Sequence, residues 1–151
     1  MYWRVQLWKS SLDLVKHRPV VGHGLGSFES YSADFFTLDK KHERTGGGTP
    51  AHNAYLELLF ETGVVGLSAY LAIFFVILRR FWGQVKSKVP GVSTEATILF
   101  CYTIGYLTIG ISDNTLYYLA FNWYFWFFIA LILQSLTFHV PQAEAAEPSA
   151  S

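Results

Sequence analysis

At 151 residues, with 52% hydrophobic and 18% aromatic side chains against 15% charged, the chain is richer in apolar groups than an ordinary soluble domain, and its composition predicts a membrane protein. A formal net charge of zero excludes a nucleic-acid partner, because a phosphate-binding surface needs Lys and Arg in clustered excess. The single cysteine, Cys101, cannot close an internal disulfide and is expected as a small buried hydrophobe.

In chain order, residues 2–16 place Trp3, Leu7, Leu14 and Val15 near one face at helical spacing, with Trp8 and Leu12 at its margin and Arg4, Lys9 and Asp13 elsewhere. This pattern predicts an interfacial helix ended by Pro19. The glycine-rich stretch "VVGHGLGSFES" follows. Gly22, Gly24 and Gly26 read G-x-G-x-G, where a dinucleotide site needs its third glycine one place later, and no GK[ST] follows for a P-loop. They are therefore assigned to a tight turn between the helix and an aromatic anchor, Phe28. Residues 30–48 mix charges with aromatics and end in three glycines, the composition of a mobile loop.

The next stretch, "TPAHNAYLELLFETGVVGL" (49–67), predicts a helix with Thr49 as its cap and Pro50 in its first turn, which would put His52 and Asn53 at the helix mouth. A histidine there faces the positive end of the helix dipole, which favours a neutral imidazole able to take up a proton. Asn53, Glu57 and Glu61 recur every four residues as a polar stripe, read as solvated, at least at Glu61, or as holding a basic partner. Gly63 and Gly66 are assigned to close helix packing. The five histidines, at 17, 23, 42, 52 and 139, show no metal-site spacing, so no metal is expected.

Three apolar runs approach the length of a bilayer crossing: 63–82, 94–111 and 116–138. The first ends at Arg79, Arg80 and Trp82, an interfacial stop, and the third is crowded with Tyr, Trp and Phe. Residues 79–93 hold Arg79, Arg80, Lys86 and Lys88 with no acid, whereas the turn at 112–115 holds only Asp113. The basic loop is accordingly expected on the cytoplasmic side, and residues 1–61 with the Asp113 turn on the other. The tail 139–151, built of Pro, Ala, Glu and Ser, is expected to be a disordered cytoplasmic segment. The expected fold class is an all-α polytopic membrane protein, three transmembrane helices preceded by an extracytoplasmic helix-loop-helix region.

One pattern is more specific. His52, Asn53, nine residues, Gly63, two residues and Gly66 resemble, position for position, the H-[NSQ]-x9-G-x-x-G pattern of the bacterial O-antigen ligase and polymerase family. Upstream, "RVQLW" (Arg4 to Trp8) and "RPVVGHGLGSF" (Arg18 to Phe28) resemble that family's R-x3-W element and its proline-glycine segment, in the same order.

That resemblance implies a multi-pass glycosyltransferase of the bacterial inner membrane with its active site facing the periplasm. It would move a glycan from an undecaprenyl-diphosphate carrier to an acceptor hydroxyl, on lipid A core for a ligase, on a growing glycan for a polymerase, or on a protein for an oligosaccharyltransferase. It would need no metal and no cofactor. His52 is then the group beside the acceptor hydroxyl, and Arg4 the candidate for the diphosphate, because a guanidinium binds phosphate oxygens bidentately. Arg18 and Arg44 are weaker candidates, and Asn53 orients His52 or the helix mouth. Relatives have many more spans, so the chain is expected to be the C-terminal portion of a larger helical bundle and to be inactive alone. A solute transporter, with polar groups lining a path through the spans, and a noncatalytic membrane scaffold are the readings from other classes.

Overall fold

The computed structural model describes residues 2–38, 48–89 and 91–146. It contains α1 (Tyr2–Val15), α2 (Ser27–Leu38), α3 (Ala54–Val85), α4 (Val92–Ser112) and α5 (Leu119–Ala146), with a single 3-10 turn, Thr115–Tyr117, before α5. There is no strand among the described residues. The all-α class expected from the sequence is the class observed. Tertiary contacts divide the chain into two compact units, Met1–Ala72 with Thr108–Tyr117 and Ile73–Leu107 with Tyr118–Ser151.

In the first unit, α1 buries Leu7, Ser11 and Val15 along one face. The buried Ser11 hydroxyl donates to the Leu7 carbonyl at 2.6 Å, so burial leaves no orphan polar group. These residues join Phe28, Ala51, Leu56 and Phe60 in one core, with Trp3, Trp8 and Tyr31 packed against it. The loop expected over 30–48 is instead helical to Leu38. Phe28, Tyr31 and Phe35 fall at helical spacing and face the core, a signal that the interleaved Ser, Asp and Glu obscure. At the start of α2 the Ser27 amide and hydroxyl both donate to the Gly24 carbonyl, at 3.2 and 2.6 Å. Arg44 lies outside the described residues.

Helix α3 starts four residues later than Thr49 and Pro50 suggested. Asn53 is its cap, its Oδ1 accepting the Leu56 N–H at 2.9 Å. His52, at φ 50, has a left-handed backbone that a helix cannot contain.

The second unit packs aromatic rings from α3, α4 and α5. Phe74, Phe81, Leu99, Tyr106, Phe125 and Ile129 are buried, and the Tyr106 ring stacks on Phe125 at 4.0 Å and on Phe121 at 5.5 Å. Asn122, the polar group inside the third apolar run, accepts the Tyr106 hydroxyl and donates to the Tyr118 carbonyl at 3.2 Å. The Tyr106 hydroxyl thus gives Asn122 a partner within the helices.

Two helices, Ala54–Val85 and Val92–Ser112, are long and apolar enough to cross a membrane, and only 17% and 28% of their most apolar windows are buried. Core helices of a soluble protein would be covered, so their open surface fits lipid or further helices. Cys101 is on that open surface, exposed and not buried as expected. The third apolar stretch, Leu119–Gln134, is shorter. The helix carrying it continues to Ala146, so the part of the supposed disordered tail at 139–146 is helical. Gln142, Ala143, Glu144, Ala145 and Ala146 are strong helix formers, and a helix already running through α5 needs no new nucleus to include them.

Candidate active site

The glycine segment and the histidine motif meet at a break in α3. Gly63 adopts φ 67, ψ −167, which takes the chain out of the helix for one residue and strands two carbonyls and two amides. Each finds a partner in the loop 19–24. The Val64 and Val65 amides donate to the carbonyls of Pro19 and Val20 at 2.8 and 3.2 Å, and the carbonyls of Phe60 and Glu61 accept from the amides of His23 and Gly24 at 2.9 and 2.8 Å. The approach is backbone to backbone. A Cβ on Gly22 (φ 69) would strike the Glu61 carbonyl, and one on Gly63 would strike the Val20 carbonyl. Gly63 is therefore a hinge for the wedge and not a helix-packing glycine. Gly66 makes room within its own helix, where a Cβ would collide with the Thr62 side chain. Gly24 and Gly26 have open space and owe their identity to φ of 105 and 75.

The same wedge corrects the reading of the acidic stripe. Neither Glu57 nor Glu61 is solvated, at 3% and 9% exposure. Glu61 accepts the Phe28 amide at 3.3 Å at the start of α2, and burial pushes its carboxyl above the ordinary 4.5 although amides of Gly26 and Phe28 pull the other way. A folded-state value raised above the unfolded one means that the stabilising contribution is full below 4.5 and is lost as pH rises through the folded value. Glu61→Gln keeps an acceptor for Phe28 and abolishes the titration. Its unfolding midpoint should lose the decline expected of the natural chain as pH rises above 4.5; an unchanged decline would assign the effect elsewhere.

Glu57 holds the turn before α3. One oxygen accepts the Ala51 amide at 2.9 Å and the other accepts the Tyr117 hydroxyl at 2.5 Å. Burial first, and this bond second, raise the phenol well above its usual range, so it stays a donor. From α1, the Trp8 indole N–H donates to the Ala51 carbonyl at 2.7 Å. Both polar groups of the Ala51 backbone are thereby fixed, and His52 follows in a conformation that costs a non-glycine residue about 1–3 kcal/mol. Trp8→Phe should cost about 1 kcal/mol in denaturant unfolding with helix content retained; an unaffected midpoint would show that the bond does not hold the turn.

What the turn presents is an imidazole beside a carboxylate. His52 Nδ1 lies 3.3 Å from Asp113 Oδ1, the two side chains 27% and 36% exposed. A carboxylate only accepts, so the bond requires a proton on Nδ1, and a ring with its one proton there has the lone pair of Nε2 free. The Asp113 oxygen also accepts the Asn114 amide at 2.8 Å, which fixes its direction. Trp3 lies edge-on to His52 at 6.3 Å, and the Arg4 guanidinium stands 5.5 Å from the Trp3 ring. Trp3 is thus near both the Arg4 guanidinium and the His52 ring, and Asn53 follows His52 as the cap of α3. Arg18 is exposed, and its backbone amide donates to the Val15 carbonyl at 3.1 Å while its carbonyl accepts the Gly22 amide at 3.0 Å. Asp113, Glu57 and Tyr117 are the members that sequence reading missed as a group. Asp113 is 61 residues from His52, and its one sequence signal is that it is the acid of the turn predicted to share His52's side of the membrane.

The sequence profile described as O-antigen ligase matches residues 1–71, the stretch that contains the wedge, the cap and His52. Through that stretch the chain is similar to the O-antigen ligase family. The exopolysaccharide production protein ExoQ of Rhizobium meliloti (strain 1021) is similar, 27% identical over 85 residues, which are 55% of this chain and 19% of that protein. The chain thus aligns with about a fifth of the length of that relative. No solved structure matches. The family is one of glycosyltransferase- and ligase-type enzymes, and the likeness supports reading the chain as a polysaccharide-related membrane protein. The H-N-x9-G-x-x-G stretch of this chain therefore has two physical halves: Gly63 makes the break that loop 19–24 fills, and His52 and Asn53 form the strained turn and the helix cap before it.

Proposed function

We propose that the chain carries the acceptor-activating part of a membrane glycosyltransferase, which moves a glycan from undecaprenyl diphosphate to an acceptor hydroxyl such as one on lipid A core. The His52–Asp113 pair is the observation that carries this reading. In the step, the acceptor O–H proton passes to His52 Nε2 as its oxygen bonds to the anomeric carbon. The bond from that carbon to the diphosphate oxygen breaks, and the lipid diphosphate leaves with its negative charge. Asp113 keeps the ring in the tautomer that can accept and balances the imidazolium that forms. Arg4, whose guanidinium stands 5.5 Å from the Trp3 ring that lies edge-on to His52, binds a diphosphate oxygen, and Asn53 fixes the turn that aims the ring. Neither a metal nor a cofactor enters this step.

The site faces the periplasm in this reading, which places the protein in the inner membrane. Support comes from the pairing of His52 with Asp113, two residues that charge bias assigns to the same side. Ligase, polymerase and protein transferase share this chemistry and differ in the acceptor. The test is transfer from a lipid-linked glycan by the natural gene product with His52→Ala; turnover at the unmodified rate overturns the proposal.

A further inference from the structure

A cleft of about 690 Å³ runs between α1 and α2, within the size range of small-molecule sites. One wall is the stripe Gln6, Lys9, Ser10 and Asp13, which helical spacing puts on a single face of α1; the other is Tyr31, Asp34 and Phe35 of α2. The arrangement is built from the core outward. The Tyr31 ring stacks on buried Phe60 at 5.2 Å, and its hydroxyl donates to Ser10 at 2.6 Å across the cleft. The Phe35 ring lies 6.4 Å from that of Tyr31. His52, Asp113 and Arg4 are not among the lining residues.

The lining discriminates between ligand classes. Two carboxylates against one ammonium repel a diphosphate, and Asp13 is further committed to Lys16 at 2.6 Å. A purely apolar ligand would match the two rings but would exchange water on Gln6, Lys9 and Asp34 for no hydrogen-bond partner. A pyranose satisfies both kinds of group. Its axial C–H bonds are electropositive and match the negative face of an aromatic ring, while its hydroxyls donate to carboxylates and accept from Lys and Gln.

We propose that this cleft is a subsite for an uncharged stretch of glycan, with a sugar ring against Tyr31 and Phe35 and its hydroxyls on Gln6, Lys9, Asp13 and Asp34. It rests on the reading of the chain as a glycan-handling protein and adds a place where the glycan is gripped away from the reacting bond. A grip of this kind supplies orientation to a transfer whose reacting atoms are few.

The experiment is saturation-transfer NMR on the 151-residue chain in lipid nanodiscs, with maltoheptaose as the probe and aromatic protons irradiated. Saturation should reach the C–H protons of the sugar. Phe35→Ala should weaken binding roughly fivefold and Asp34→Asn roughly tenfold, with circular dichroism confirming the fold of each. Oligogalacturonate, which carries carboxylates, should bind more weakly than maltoheptaose. The proposal is overturned if maltoheptaose receives no saturation, if both variants bind as the natural chain does, or if the acidic probe binds as tightly as the neutral one. Binding is read without turnover, and His52→Ala should leave it intact. Failure here therefore leaves the His52–Asp113 reading standing, and failure of transfer leaves this one standing.

Discussion

Gly63→Ala should prevent the first unit from holding its native structure. At φ 67 an alanine pays about 1–3 kcal/mol for the backbone alone, and its methyl meets the Val20 carbonyl and the Gly22 amide, which are backbone and cannot swing aside. Relief would require withdrawing loop 19–24 from the helix break, and that strands the four backbone groups the loop now satisfies. A loss of several kcal/mol is a large part of the stability of a unit this size. Gly105→Ala is the control, since nothing lies within 4 Å of a Cβ there and the residue sits inside α4. It should stabilise by roughly 0.5–1 kcal/mol through helix propensity. Opposite signs for the two substitutions, read as unfolding midpoints from tryptophan fluorescence in detergent, are the expected result. Equal and small effects would mean that the wedge does not support the fold.

The second large effect is on activity. His52→Ala in the natural gene product should reduce glycan transfer by about 10²–10⁴-fold, the usual contribution of a positioned general base, while expression and helix content stay unchanged. The fold should tolerate it, because the side chain is partly exposed and alanine leaves the Ala51 and Asn53 bonds in place. Asp113→Asn is the sharper variant. It preserves size and the capacity to accept from Nδ1, but its amide can equally donate, so the ring is no longer confined to the tautomer with a free Nε2. Its rate should fall between those of the natural protein and His52→Ala, and the double variant should be no slower than His52→Ala alone, since two residues that act as one unit are not additive. A double variant slower by the product of the two would show that Asp113 acts independently of His52.

Particular residues show where sequence reading reached and where it stopped. The apolar runs announced α3 and α4 because bilayer length and hydropathy are one-dimensional properties. Helix α1 was legible through the spacing of Trp3, Leu7, Leu14 and Val15. Helix α2 was not, because Phe28, Tyr31 and Phe35 are separated by polar residues whose packing depends on Glu61 and Phe60 of a different helix. Glu57 and Glu61 were read as solvated because a four-residue spacing says which residues share a face and nothing about what covers it. Thr49 and Pro50 had the chemistry of a helix start, but the carboxylate of Glu57 and the indole of Trp8 claimed the Ala51 backbone and delayed the helix to Ala54.

The sequence by itself determined the all-helical class, the membrane character of the chain, and His52 with Asn53, Gly63 and Gly66 as its most informative residues. These follow from composition, local periodicity and a fixed spacing along the chain. Only the tertiary structure decided that loop 19–24 fills the break at Gly63, that two supposed surface glutamates are buried struts, and that Asp113 is the partner of His52. Each of those facts is a pairing between groups far apart in sequence, and backbone hydrogen bonds and buried carboxylates carry no local pattern that names their partners.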